Sequence, residues 1–119
     1  YSMRDEIPLA KQYQWAQPER AHDFYLTNNE SDYHRLLSLG HNTVLVDSLA
    51  KNDGSLSIAA SNQGIRYLNI EVALGNHETN TLMFLDAIHC LVPSLKDYQS
   101  TGFRPANQRP GFSNPYLYR

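Results

Sequence analysis

The chain of 119 residues holds one cysteine, Cys90, so an intrachain disulfide is excluded and no cysteine cluster can hold zinc. Charge is scarce as well. Charged residues make up 18% and the net charge is −2, where soluble domains usually carry about a quarter charged residues. A near-neutral chain without a basic patch has no electrostatic footprint for nucleic acid, so none is expected as a partner. No apolar run approaches the roughly 20 residues of a membrane-spanning helix. No secretory signal is present, but a chain that opens at Tyr1 reads as a processed product and leaves a secreted origin open. Glycine-rich phosphate loops are missing. Of the histidines, His22, His34, His41, His77 and His89, no two have the four-residue spacing of a helical metal site. His77-Glu78 lacks the second histidine of His-Glu-x-x-His, because position 81 is Thr. Neither a metal nor a cofactor is expected.

What the chain does have is alternation. Leu68, Ile70, Val72 and Leu74 fall on one side of an extended segment, with Tyr67, Asn69, Glu71 and Ala73 on the other. That period of two marks a strand with one face in a core. Residues 43–49, Thr-Val-Leu-Val-Asp-Ser-Leu, read as a second strand. Asn52-Asp53-Gly54 follows and reads as a hairpin turn, and Leu56 and Ile58 alternate with serines in a returning strand. Asn62-Gln63-Gly64 makes the next turn. The expectation is a three-stranded antiparallel meander.

Pro18 followed by Glu19 is a helix-start signal for a short helix ending at Asn28 and Asn29. A second is expected from Ser31 to Leu39, capped by Ser31 and stopped by Gly40, with one unbroken helix as the alternative. Residues 80–92 read as a helix rather than a strand. Leu82, Leu85, Ile88 and Val92 line one side while Asp86 and His89 share another, Thr79 or Asn80 caps the start, and Pro93 stops it. Beyond Asp97, Gly102, Pro105, Pro110, Gly111 and Pro115 alternate with Phe103, Phe112, Tyr116 and Tyr118. Such a segment cannot build its own core, but its aromatics suit docking onto another surface. The fold class is therefore α+β: the meander, one or two short N-terminal helices, a C-terminal helix packed on one face, and extended arms at both ends. Residues 1–17 form an N-terminal arm, 18–97 a single domain and 98–119 a Pro/aromatic C-terminal arm.

Two family resemblances are present. Phe24 to His34, then 63–72, then Leu91-Val92-Pro93 resembles the order of elements in cystatins, with Ala60 where that family carries glutamine and Ser94 where tryptophan follows the proline. It implies a helix wrapped by an antiparallel sheet, a strand at 80–92, and inhibition of papain-like cysteine proteases by a wedge made of the turns at Gly64 and Pro93. Residues 67–72, followed by Thr79-Asn80 and an apolar helix, resemble the last strand and helix of small RNA-phage coat proteins. The basic strand residues that such coats use on RNA are missing here.

Catalysis has little to stand on. Cys90 reads as a buried small apolar residue, and the enzyme alternative is a small hydrolase using it as nucleophile with His41 or His77 brought near by the fold. Asp23 with His22, or Asp86 with His89, could be written as acid–base pairs. Asn29-Glu30-Ser31 is a formal glycosylation acceptor. A meander whose strand at 43–49 leaves an edge that only Asp47 blunts, plus an aromatic arm, favours a non-catalytic structural or protein-interaction module. Its partner would be a protein or a second copy, met through Asn62, Gln63, Gly64, Pro93, Phe103, Phe112, Tyr116 and Tyr118.

Overall fold

The computed structural model describes residues 1–50 and 53–92. The chain is α+β, built on a four-stranded mixed sheet in the order β1-β3-β2-β4, with β1 at Ala10–Gln14, β2 at Phe24–Thr27, β3 at Thr43–Val46 and β4 at Leu68–Glu71. The inner pair, β2 and β3, runs parallel, with Tyr25 opposite Thr43 and Thr27 opposite Leu45. Parallel neighbours need a crossover, and helix α2 (Glu30–Ser38) supplies it. The outer strands pair antiparallel, β1 on β3 and β4 on β2. The strand expected to be an open edge, 43–49, is thus paired on both sides as β3, and among the described residues the edges are β1 and β4.

This corrects the expected meander in three places. Residues 18–26 make only a three-residue 3-10 turn at Pro18–Arg20 before β2, whose four residues are all buried. A strand covered on both faces shows no alternation, so nothing in its pattern marks it as a strand. Residues 55–62 form helix α3 (Leu56–Asn62) instead of a returning strand. Leu56 is exposed while Ile58 is buried, so the apparent alternation joins a core residue to a surface one. Asp53-Gly54 leads into this helix, the Asp53 carboxylate accepting from the Ser55 N–H at 2.9 Å, and the other half of the expected hairpin turn lies outside the described residues. The N-terminal stretch read as an arm carries α1 (Met3–Glu6), closed by a Ser2–Asp5 capping box, and then edge strand β1.

Other expectations are met. α2 stops at Gly40, which sits at φ 85° and closes the helix through the His41 N–H on the Leu36 carbonyl. Its cap is Asn29 rather than Ser31, with Asn29 Oδ1 accepting from the Asp32 N–H at 3.0 Å. Residues 77–91 form α4 (His77–Leu91), starting about one turn earlier than expected, with Asn76 as its cap. Because this segment is a helix and the sheet is mixed, the arrangement that the cystatin resemblance implies is not the one observed.

The sheet separates two apolar layers. On one face α1 and α3 cover Phe24, Leu26, Val44 and Val46 with Met3 and Ile58, and Trp15 and Tyr67 pack at the margin. On the other, α2 and α4 bring Leu36, Met83, Ala87 and Cys90 onto Tyr25, with Leu68, Ile70 and Val72 of the β4 segment against them. The alternation of β4 therefore faces the core as expected as far as Val72, while Leu74 is fully exposed.

Candidate functional site

Buried polar side chains cluster under α4. His41, at the start of β3, has its Nε2 2.8 Å from Asp86 Oδ2, and both side chains are essentially inaccessible. Tyr25 stacks edge-on against the His41 ring at 5.0 Å and donates its hydroxyl to the Met83 carbonyl at 2.6 Å. Asp86 thus meets His41, 45 positions away in the sequence. No substrate reaches this group. A buried acid and imidazole joined by a short hydrogen bond between a helix and a strand fix the height and rotation of α4 on the sheet.

A second group closes the C-terminal end of α4. Arg66 grips Asp32 with two hydrogen bonds, Nε donating to Oδ2 at 2.8 Å. Asp32 holds the guanidinium above its ordinary pKa. Arg35 Nη1 donates to the Cys90 carbonyl at 3.1 Å, one of the last carbonyls of the helix, where cations are favoured. The Cys90 thiol lies beneath. Burial first, then Asp32 and Asp86, push it up from 9.0 to about 11. Nucleophilic cysteines have lowered values and partial exposure, so this environment suits a packing residue rather than the thiol of a hydrolase.

The third group ties loops to the sheet. Asn42 donates to the carbonyls of Gln17 at 2.8 Å and Arg20 at 3.0 Å, and accepts from the Gln17 N–H at 2.7 Å. Asp23 accepts from Arg20 and from the Ala73 N–H at 2.8 Å, so its partner is Arg20 rather than His22. Asn28 mimics a strand, donating to the Ile65 carbonyl at 2.7 Å and accepting from the Tyr67 N–H at 2.8 Å. The sequence marks Asn28 only as a helix end and Asp23 only as a partner of His22, and it does not single out Asn42. The available signal was their setting, single Asn or Asp residues flanking apolar strands.

Depressions on the surface of the described residues include three of note. One, about 230 Å³, lies beyond the carboxyl ends of β2 and β3 and is lined by Asn28, Asn29, Ser48, Ser61, Gly64, Ile65 and Arg66. That is where α/β sheets place ligands, but here Asn28 bonds the loop and Arg66 is committed to Asp32. A second, about 330 Å³, lies between Arg4, Ile7, Trp15 and Pro18, with the Arg4 guanidinium 5.9 Å from the Trp15 ring. A third, about 480 Å³, runs along β1 from Ala10 to Gln14, with Tyr33, His34 and Leu37 of α2 as its other wall. Residues 11–14 are all exposed, and among the described residues the outer edge of β1 pairs with no strand. The register shifts between Ala10 and Gln12, as at a β-bulge, and Gln12–Gln14 pair regularly with Leu45–Thr43.

Of the residues expected to meet a partner, Asn62, Gln63 and Gly64 close α3. Gly64, at φ 67°, donates to Ser61, and Ile65 donates to Ala60, a helix end rather than a hairpin turn. Pro93, Phe103, Phe112, Tyr116 and Tyr118 lie outside the described residues. Among the described residues no group of three metal-binding side chains occurs, and no helix is long and apolar enough to cross a membrane. Comparison with protein-family models, with curated proteins and with solved structures returns no match.

Proposed function

We propose that this chain is a non-catalytic structural or protein-interaction module that assembles with a second copy through its sheet edge, with the aromatic segment at Phe103, Phe112, Tyr116 and Tyr118 adding contact area. The observation that supports this reading is the open edge of β1 beside the groove walled by Tyr33, His34 and Leu37. An unpaired strand edge is a template for a further strand. Antiparallel pairing of β1 with its copy would join two four-stranded sheets into one, and Tyr13, exposed at 45%, would sit near the two-fold axis. Lys11 is the one charged side chain on the strand, and it lies at the register shift rather than on the regularly paired part.

The test is the mass of the full chain in solution by light scattering, beside a Tyr13→Lys variant. Like charges facing each other across a strand pair are unfavourable, so the wild type should be a dimer and the variant a monomer. A monomeric wild type would remove the reading.

A further inference from the structure

Helix α4 is apolar around most of its circumference. Its inner side, Leu82, Met83, Ala87 and Cys90, is buried on the sheet. Thr81, Phe84, Ile88 and Leu91 follow one another at spacings of three and four on the opposite side, with Leu85 and Val92 beside them. Phe84 is 56% exposed, Leu91 37% and Val92 42%. A helix apolar all round is ordinarily covered all round, yet none of Phe84, Leu85, Ile88, Leu91 and Val92 belongs to either apolar core cluster of the described residues.

We infer that residues 93–119 of the same chain dock on this outer face of α4, seating their aromatic side chains against Phe84, Ile88 and Leu91. Three observations favour this occupant. The described chain ends at Val92, at the C-terminal end of the stripe itself. Leu91 to Phe84 is about 10 Å at 1.5 Å per residue, so a segment turning back at Pro93 covers it and Phe103 comes within reach. Charge agrees: Lys96, Arg104, Arg109 and Arg119 against Asp97 give the segment +3, and with a total of −2 the remaining residues 1–92 carry −5. Glu78, exposed in the first turn of α4, lies on the flank of the stripe. Tethering selects this copy over another, because a segment joined to its site acts at an effective concentration on the order of millimolar. The docking leaves β1 free to pair, but it gives the aromatic segment to the chain's own α4 and so replaces the contact area that segment would add between copies. Only the strand pairing of the assembly reading is independent of it.

The experiment uses the full chain with the photo-crosslinking residue p-benzoylphenylalanine at position 84, prepared as an equal mixture of ¹⁴N- and ¹⁵N-labelled protein. Irradiation should join position 84 to peptides from 93–119, both halves carrying the same isotope. The same probe at position 56, exposed on α3 on the other side of the sheet, should give no such product. Mixed-isotope products would assign the stripe to a second copy, and absence of products within 93–119 would leave it uncovered by this segment. Either overturns the proposal. Replacing Phe103, Phe112, Tyr116 and Tyr118 together by Ser should raise the fluorescence of a bound apolar dye severalfold, and an unchanged signal also counts against docking. Adding Tyr13→Lys to the probe-bearing chain should leave the intrachain product intact, so the docking and the strand pairing stand or fall separately.

Discussion

The two faces of the sheet are filled by different means. Beneath α1 and α3 lie Met3, Phe24, Leu26, Val44, Val46 and Ile58, an aliphatic and aromatic layer. Beneath α2 and α4 a comparable apolar set is threaded with the Tyr25–His41–Asp86 group and bounded by Asp32, Arg35 and Arg66. Apolar contact is non-directional, so the first face needs only volume and shape. Hydrogen bonds specify direction and register, and leaving one unmade is costly. The difference teaches that α4 is located by its polar groups as much as by its core residues. A helix that is apolar on both sides could otherwise rotate with little loss.

The largest effect should come from breaking that polar group. Asp86→Ala leaves His41 buried without its 2.8 Å partner, and removing one member of a buried pair costs about 3–5 kcal/mol. Denaturant unfolding should show that loss, and an Asp86→Leu, His41→Leu double variant should cost clearly less than the sum of its singles. Additivity would mean the pair carries no coupling. Asn42→Ala should come next, at about 2 kcal/mol, since it strands several buried carbonyls and the Gln17 N–H that Asn42 now serves. On the aliphatic face, Ile58→Val should cost only about 1 kcal/mol, because Ile58 is fully buried but held by contact alone. If Ile58→Val proved as costly as Asp86→Ala, the contrast between the faces would be gone.

Cys90 extends the contrast to reactivity. Its thiol is 1% exposed and held up to about 11, and the thiolate is the reacting form. Iodoacetamide at pH 8 should label Cys90 at least tenfold more slowly in the folded chain than in denaturant. Rapid labelling of the native protein would reopen catalysis through this residue.

The second face was the more legible of the two in the sequence, and the reason is physical. Helix α4 is legible as a helix through Leu82, Leu85 and Ile88 and the stop at Pro93, and β4 through alternation. The half-buried β4 shows its period. In α4 the side actually buried is Leu82, Met83, Asp86, Ala87 and Cys90, and the expected stripe turns mostly outward because the helix is apolar nearly all round. β2 is buried on both faces and β1 is a polar edge strand, so neither carries a period, and each was missed. In α3, Ala59 and Ala60 favour helix while Leu56 and Ile58 mimic a strand, and tertiary packing of Ile58 decides between them. The polar groups under α4 were invisible for another reason. His41 and Asp86 are distant in sequence, and nothing local signals that a fold will join them.

Titration gives the smallest effect and the sharpest contrast. The acids of the α2–α4 side have donors: Asp32 has Arg66, and Asp86 has His41. On the other side Glu6, 9% exposed in α1, faces Asp53 and Glu71. Burial first, then these two carboxylates, raise its pKa above the ordinary 4.5. The fold therefore binds this proton more tightly than the unfolded chain does. By linkage the protonated carboxyl contributes stability that is complete below 4.5 and is lost as pH rises through the raised value. Glu6→Gln keeps the shape and removes the charge, so the variant should match the wild type near pH 4 and exceed it at pH 7. Thermal unfolding at the two pH values reads this directly. A variant less stable than the wild type at pH 7 would mean that the ionised carboxylate is favoured in the fold, and that the two faces of the sheet treat their acids alike.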